Sequence, residues 1–344
     1  MKYSLCNNWE FTEIWSEDFC TGAPVPCQAV RLPHTCRELP LHYADPADYE
    51  MVCGYRRTLT LPDAPRLFLR FDGAAHQAAV YLNGLLVGEH LGGYTAFALE
   101  ITNFVHRDAE NLLAVRLDTR EDPALPPFGF VIDYLTYGGL YREVWLETTA
   151  ATCVTDLFVH TPTLTEAAVS VTTDAPEKAA VLRVSLCAPD GAALVGQQLP
   201  AAEKAECTLT LPDAKPWDTD HPNLYTCRAE LLDAAGQVLD CRETTFGFRT
   251  AEFKADGFYL NGKKTFLRGL NRHQSYPYIG YAAPESLQRN DARILKNELH
   301  CNAVRTSHYP QSQHFLDECD RLGLLVFTEL PGWQHIGDGA WKDR

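Results

Sequence analysis

The chain has 344 residues, of which 46% are hydrophobic and 22% charged, and its formal net charge is −15 at pH 7. This composition is typical of a globular protein and excludes a disordered or fibrous chain, and the length indicates two or three domains. The acidic balance, with no basic stripe, argues against nucleic-acid binding, because that affinity comes largely from clustered lysine and arginine.

The first 150 residues have the pattern of an all-β domain. Leu67, Leu69 and Phe71 alternate with residues of the opposite face, and Asn83-Gly84 is a strong two-residue hairpin signal. Short strands separated by glycine, proline and aspartate turns predict a sandwich or jelly roll over residues 1–150.

Residues 151–251 continue the β pattern on a smaller scale. Turn pairs at Asp190-Gly191, Pro212-Asp213 and Ala235-Gly236 separate the strand-like runs. About 100 residues with several strands between turns fit an immunoglobulin-like sandwich.

The pattern changes after Gly257, where strands and helices alternate. The predicted strands span residues 265–270, 303–306 and 324–328, and the predicted helices span residues 284–299 and 312–322, with Gly323 as the C-cap of the second helix. Strand, helix, strand, helix, strand indicates a parallel sheet. Right-handed crossovers then make residues 252–344 the opening of an α/β barrel or of a doubly wound sheet.

Cysteine content and the N-terminus predict a compartment. The twelve cysteines include no C-x-x-C pair, which argues against structural zinc and a thioredoxin-type site. The first twenty residues contain no continuous apolar run, so we expect no export signal, no membrane anchor and a cytoplasmic location. The cysteines are then expected to be reduced and mostly buried, with a disulfide framework as the alternative.

Polar side chains collect where each predicted parallel strand ends. The first strand ends in G-L-N-R-H, the second in R-T-S-H-Y-P and the third in T-E-L-P-G-W. Ligands of parallel α/β sheets bind beyond the carboxyl ends of the strands. Hydrogen-bonding and flat aromatic groups at all three ends predict a pocket for a polyhydroxylated ring.

Several segments resemble glycoside hydrolase family 2, and within it the β-galactosidases most. They include V-Y-L-N-G-L-L-V-G-E-H-L-G-G-Y-T-A-F (80–97), D-Y-L-T-Y-G-G-L-Y-R-E-V (133–144), G-F-Y-L-N-G-K-K-T-F-L-R-G-L-N-R-H (257–273) and N-A-V-R-T-S-H-Y-P (302–310). The last two are the more specific signals. The resemblance implies a multidomain β plus α/β protein: a jelly-roll sugar-binding domain (1–150), an immunoglobulin-like sandwich (151–251) and the first three strands of a TIM barrel (252–344).

The resemblance also implies hydrolysis of terminal β-linked sugars with retention of configuration. Retention needs two carboxylates about 5–5.5 Å apart, and in the family both are glutamates, at the ends of the fourth and seventh barrel strands. Only sixteen residues follow L-L-V-F-T, and none forms an Asn-Glu pair. We therefore assign no catalytic residue and expect this chain to be inactive alone, because Glu329 lies a strand too early and one carboxylate cannot perform a double displacement.

Five residues resemble substrate-binding residues of the family. Arg305 resembles the arginine that holds the nucleophilic carboxylate. His308 and His273 resemble histidines that contact sugar hydroxyls. Asp133 resembles an aspartate that reaches the terminal sugar, and Trp333 could form a stacking wall. Each also has a purely structural alternative: an ion pair between strands for the arginine, scaffold hydrogen bonds for the histidines, a turn cap for the aspartate and packing for the tryptophan.

The expected partner is a carbohydrate substrate, with no nucleic acid and no membrane, and a homo-oligomer is left open. No cofactor is predicted. Galactosidases of the family often use Mg²⁺ and Na⁺, but Trp333 stands where a carboxylate ligand would be needed, so no metal ligand is assigned. The alternative functions are β-glucuronidase, β-mannosidase or a noncatalytic carbohydrate-binding fragment.

Overall fold

The computed structural model describes residues 1–42, 44–127 and 134–332. In this part of the chain, two β-sandwiches precede a segment of alternating strands and helices. No helix among the described residues is long and apolar enough to cross a membrane. The exact domain boundaries stay predictions.

The N-terminal sandwich consists of two antiparallel sheets. Its elements are β1 (Lys2–Ser4), β2 (Trp9–Thr12), α1 (Glu17–Cys20), β3 (Gln28–Val30), β4 (Val52–Leu59), β5 (Arg66–Phe71), β6 (Gln77–Leu82), β7 (Leu85–Leu91), β8 (Phe97–Glu100), β9 (Asn111–Asp118) and β10 (Val144–Thr149). One sheet has the order β3-β2-β4-β9-β6-β7 and the other β1-β10-β5-β8. The alternating positions Leu67, Leu69 and Phe71 are buried in the core between the sheets, which confirms the predicted strand. The predicted Asn83-Gly84 hairpin joins β6 to β7 with φ of 55° and 79°, the positive values that a two-residue hairpin turn needs.

The second sandwich also has two antiparallel sheets. Its strands are β11 (Cys153–His160), β12 (Glu166–Asp174), β13 (Val181–Cys187), β14 (Ala193–Pro200), β15 (Lys204–Thr210), β16 (Tyr225–Leu232) and β17 (Val238–Phe246). The sheet orders are β11-β12-β15 and β14-β13-β16-β17. Residues of both sheets, among them Val169 and Val184, form one buried core. The predicted turns at Gly191 and Gly236 are confirmed, with φ of 87° and 81°.

The barrel segment begins with a three-stranded antiparallel sheet and continues as a parallel sheet. Its elements are β18 (Ala251–Lys254), β19 (Gly257–Leu260), β20 (Lys263–Lys264), β21 (Gly269–Asn271), α2 (Glu285–Arg293), β22 (Ala303–Arg305), α3 (Gln313–Leu322) and β23 (Leu325–Phe327). Strands β21, β22 and β23 are parallel neighbours in that order. The predicted order of elements is confirmed, although the strands are shorter than predicted. A π-helical turn, Ile294–Glu298, extends α2 close to its predicted end.

Two contacts fix the helices behind the parallel strands. Glu318 of α3 is almost fully buried and pairs with Arg289, Arg293 and Arg321. Burial alone would raise the pKa of Glu318, but the surrounding guanidinium groups hold it below its ordinary value. The predicted C-cap Gly323 ends α3 in the left-handed conformation, with φ of 74°. The buried carboxylate thereby joins α3 to α2.

The N-terminal sandwich packs against the barrel segment through a tyrosine cluster. The cluster consists of Tyr94, Tyr134, Tyr137, Tyr141, Tyr281 and Tyr309. The rings of Tyr94 and Tyr309 stack with centroids 4.6 Å apart, and the hydroxyl of Tyr281 donates to the carbonyl of Leu135 at 2.9 Å. Because Tyr309 lies four residues after the end of β22, this cluster places the sandwich at the carboxyl end of the parallel strands.

The twelve cysteines are free thiols, and nine of them are buried. The prediction that most are buried is confirmed. Burial raises the pKa of the Cys36 thiol to about 12 and that of Cys53 well above its ordinary value. Both therefore behave as small apolar core residues at neutral pH.

Candidate functional site

The parallel register brings the polar strand ends to one edge of the sheet. Asn271 of β21 pairs with Arg305 of β22, and Arg305 pairs with Phe327 of β23. His273 and Glu329 each follow their strand by two residues, so they extend beyond the same edge. The grouping that the sequence predicted at the strand ends is therefore reproduced by the fold.

Glu329 bridges Arg305 and His308. One of its carboxylate oxygens accepts from Nε of Arg305, and the other lies 3.1 Å from Nδ1 of His308. Nη2 of Arg305 lies 3.3 Å from the same Nδ1. That nitrogen cannot both donate to the carboxylate and accept from the guanidinium, and the ionised carboxylate is the stronger and nearer acceptor. Nδ1 of His308 therefore carries a hydrogen and donates it to Glu329, which orients both partners.

Arg305 keeps part of its guanidinium accessible. Its side chain is 41% exposed, whereas Glu329 is 24% and His308 9% exposed. The sequence alternative of an ion pair between neighbouring strands is thus present in the structure. An ion pair with Glu329 and contact with a bound nucleophile are compatible, because a guanidinium has five N–H donors and Glu329 accepts from the Nε–H alone.

Tyr309 orients the second histidine. Its hydroxyl lies 3.1 Å from Nδ1 of His273 and accepts from the backbone N–H of Gln274 at 3.4 Å. Burial raises the pKa of Tyr309 to about 12, so the phenol keeps its hydrogen at physiological pH. When His273 carries its own hydrogen on Nε2, Tyr309 donates to Nδ1 and fixes the ring. His273 itself is exposed to solvent.

An aromatic ring of the N-terminal sandwich completes this surface. The two imidazoles lie with centroids 5.4 Å apart, and Tyr134 lies 5.3 Å from His273 and 5.8 Å from His308. Hydrogen-bonding nitrogens and flat rings from two domains therefore meet at the strand ends. Such a combination is suited to a ligand that presents hydroxyl groups and apolar C–H faces.

The structure brings together three of the five predicted substrate-binding residues, His273, Arg305 and His308. Asp133 and Trp333 lie outside the described residues, so their roles stay predictions. Tyr134, the neighbour of Asp133 in sequence, is described and lies beside both histidines.

Arg272, another polar residue of the first strand end, faces away from this edge. Its guanidinium donates to Asp291 at 2.6 Å and to Gln288 at 2.8 Å, and it lies 4.1 Å from the ring of Phe315. It therefore binds the helices rather than a ligand. The two adjacent residues thus differ in their surroundings, since Arg272 is buried and His273 is exposed.

Sequence reasoning missed the orienting residues Glu329 and Tyr309. Glu329 was considered only as a catalytic acid and excluded for its strand position. The signal that could have found it is its distance of two residues from the end of β23, which matches His273 after β21. No such local signal exists for Tyr309, because its bond to His273 spans 36 residues.

The described residues contain no group of three or more His, Cys, Asp or Glu side chains that could hold a metal ion. The carboxylate nearest the histidines, Glu329, is already engaged by Arg305 and His308. The described residues at the strand ends form a hydrogen-bonding surface.

Three family models match successive parts of the chain. Glycosyl hydrolases family 2, sugar binding domain, matches residues 30–150, glycosyl hydrolases family 2 matches residues 152–249, and glycosyl hydrolases family 2, TIM barrel domain, matches residues 251–339. The chain belongs to glycoside hydrolase family 2. The sugar-binding, immunoglobulin-like and partial barrel architecture expected from the resemblance is confirmed.

Curated relatives carry two kinds of names. A β-galactosidase of Thermoanaerobacterium thermosulfurigenes is 42% identical over 98% of this chain and 49% of its own length. A β-glucuronidase of Bacteroides fragilis is 31% identical over 99% of this chain and 50% of its own length. The chain spans about half the length of the curated relatives it matches.

Solved structures of the family show the same fold. The β-glucuronidase of Bacteroides uniformis matches with a TM-score of 0.84 and 31% identity, over 98% of this chain and 43% of that structure. The β-glucuronidase of Bifidobacterium dentium, solved with coumarin-3-O-glucuronide, matches with a TM-score of 0.86 and 27% identity, over 96% of this chain and 61% of that structure.

Proposed function

We propose that the protein to which this chain belongs is a retaining β-glycosidase of terminal β-linked sugars, with β-galactosides as its substrates. The observation that carries the proposal is the convergence of His273, Arg305 and His308 at the ends of two adjacent barrel strands. The higher identity to a β-galactosidase, 42%, than to a β-glucuronidase, 31%, supports the choice of sugar.

The site residues take distinct roles in this proposal. Arg305, oriented by Glu329, presents its remaining N–H donors to an ionised nucleophile and keeps that carboxylate charged and in place. His273 and His308 bind sugar hydroxyls, each of which can donate and accept a hydrogen bond. Asp133 and Trp333 are proposed to bind the terminal sugar as well.

Neither carboxylate of the double displacement is assigned in this chain. Glu329 is committed to Arg305 and His308, and one carboxylate cannot act both as nucleophile and as acid/base. We therefore propose that residues 1–344 bind sugar but do not hydrolyse it unaided. A noncatalytic carbohydrate-binding role for the isolated chain follows from the same reasoning.

The second candidate activity is that of a β-glucuronidase. It is favoured by the solved structures, since those of Bacteroides uniformis and Bifidobacterium dentium are both named β-glucuronidases. A glucuronide carries a carboxylate at C6 where a galactoside carries a hydroxymethyl group, and the two sugars also differ in configuration at C4. The two activities are therefore separable with matched substrates of the same leaving group.

The deciding experiment compares chromogenic β-galactoside, β-glucuronide and β-mannoside with the complete gene product and with residues 1–344 alone. We expect the complete protein to hydrolyse the galactoside fastest and the chain of 344 residues to hydrolyse none. No turnover of any of the three by the complete protein would refute the activity, and turnover by residues 1–344 would refute the assignment of the catalytic carboxylates elsewhere.

A pair of variants tests the site itself. His308→Gln should lower kcat/KM by about 10- to 100-fold, as expected when a group that positions substrate is removed. His221→Gln, at an exposed histidine of the second sandwich, should leave it unchanged. Equal effects of the two variants would contradict the assignment of His308.

We also propose a reducing, cytoplasmic location. The support is chemical: twelve free cysteines, nine of them buried, suit a compartment in which thiols stay reduced. Cell fractionation with an antibody against the chain would test it, and recovery in an oxidising compartment would contradict it.

A further inference from the structure

Arg142 connects the N-terminal sandwich directly to both histidine-bearing strand ends. Its side chain is buried, with the residue 6% exposed. On the sandwich side, Nη1 donates to the backbone carbonyls of Asp72 at 3.2 Å and Tyr94 at 3.5 Å. On the barrel side, Nη2 donates to the side-chain oxygen of Gln274 at 3.1 Å and to the carbonyl of Pro310 at 2.9 Å.

The two barrel acceptors lie next to the proposed sugar-binding histidines. Gln274 follows His273 in sequence, and Pro310 lies two residues after His308. One guanidinium therefore ties the segment after β21 to the segment after β22. The segments separately carry the two imidazoles, whose centroids are 5.4 Å apart.

The surroundings of Arg142 favour a rigid link. Gln274 is fully buried, and its backbone N–H donates to the hydroxyl of Tyr309, which in turn contacts His273. The guanidinium of Arg142 also lies 5.0 Å from the ring of Tyr141. A planar guanidinium can serve four fixed oxygen acceptors at once, which the three-donor ammonium of lysine cannot.

We propose that Arg142 is a positioning residue for the sugar site, one that sets the spacing of His273 and His308 from the neighbouring domain. The proposal rests on the proposed function of those histidines. It goes beyond simple attachment of two domains, because Arg142 bonds to both histidine-bearing segments at once, whereas the bond from Tyr281 to Leu135 reaches one barrel segment alone.

The test compares two buried arginines of the N-terminal sandwich in the complete gene product. Arg142→Gln removes the link, whereas Arg56→Gln removes a guanidinium that is 8% exposed and bonds to Glu10, Phe19 and Ala23 within the sandwich. We expect Arg142→Gln to lower kcat by about 10- to 100-fold, the effect of misplaced substrate-positioning groups. Arg56→Gln should keep the wild-type kcat even if it lowers Tm as much.

A second variant and a second readout keep the test decisive. Gln274→Met removes one acceptor and leaves Arg142 its other three oxygens, so it should fold even if Arg142→Gln does not, and should lower kcat in the same direction. In residues 1–344, the ring ¹⁵N chemical shifts of His273 and His308 should change in both variants and stay unchanged in Arg56→Gln.

The outcomes separate the two hypotheses. If the wild-type protein hydrolyses none of the glycosides, the proposed function fails, while the histidine shifts still report whether Arg142 positions the rings. If Arg142→Gln and Gln274→Met leave the histidine shifts and kcat as in wild type, or change them no more than Arg56→Gln does, the proposed role of Arg142 is wrong.

Discussion

Replacing Tyr309 by phenylalanine tests how the site holds His273. The change removes one hydroxyl and keeps the ring, so the stack with Tyr94, with centroids 4.6 Å apart, is retained. Tyr309 is fully buried, and its hydroxyl serves Nδ1 of His273 and the backbone N–H of Gln274. The variant therefore removes hydrogen bonds without creating a large cavity.

The size of the effect follows from what the variant leaves unpaired. A buried donor that loses its acceptor costs about 1–3 kcal/mol. The bond from the N–H of Gln274 to Tyr309 is long, at 3.4 Å, which places the expected cost near the lower end, about 1–1.5 kcal/mol. Since 1.4 kcal/mol is a factor of ten in an equilibrium, local opening around Gln274 should become about 5- to 10-fold more frequent.

Hydrogen exchange and histidine NMR measure the two consequences. In the Tyr309→Phe variant, the amide of Gln274 should exchange about 5- to 10-fold faster, and the ring ¹⁵N shifts of His273 should show a changed tautomer population. Tyr276→Phe is the matched control, because its hydroxyl bonds to Asp291 and not to a histidine. An unchanged Gln274 amide together with unchanged His273 shifts would refute the orienting role of Tyr309.

Three further predictions concern the scaffold. Glu318→Gln should lower Tm at pH 7 and have less effect as the pH falls. The folded protein lowers the pKa of Glu318, so the carboxylate stabilises the fold above its unfolded pKa and loses that contribution as it is protonated. An equal loss of Tm at pH 4 would contradict this. His314→Gln should lower Tm more at pH 6 than at pH 8. The hydrogen bond to Glu143 raises the pKa of His314, and the stabilisation that a raised histidine pKa provides is lost as the pH rises through that pKa. An equal loss of Tm at the two pH values would contradict this. Gly323→Ala should lower the free energy of unfolding by more than about 1–2 kcal/mol, the cost of placing alanine in the left-handed conformation. The excess is expected because the new Cβ would lie 2.5 Å from the carbonyl oxygen of Thr219. Chemical denaturation that shows no loss of stability would contradict this.

The order of elements in the barrel segment could be predicted from the sequence, because local signals determine it. Gly323 ends α3 in the left-handed conformation, and apolar spacing separates helices from strands. The direction in which side chains point after a strand ends was harder to predict from the sequence. Arg272 and His273 look equivalent as polar neighbours, yet only the second reaches the ligand edge, and the difference depends on where extended backbone begins and ends.

Contacts between distant segments could not be predicted from local patterns. Arg142 and Gln274 are 132 residues apart, and the motif that contains Arg142 signalled family membership without indicating what the guanidinium bonds. Glu329 was excluded as a catalytic acid by counting strands. Its orienting contact with Arg305 could not be predicted, because a contact between strand ends depends on the register of the strands and not on the composition of either strand.

The tyrosine cluster adds no charge to the proposed sugar site. Burial raises the pKa of Tyr309 to about 12 and holds those of Tyr94 and Tyr281 well above their ordinary value. These phenols stay neutral across the physiological range and contribute ring faces and hydroxyl groups alone. They add no charge that would separate an uncharged galactoside from an anionic glucuronide.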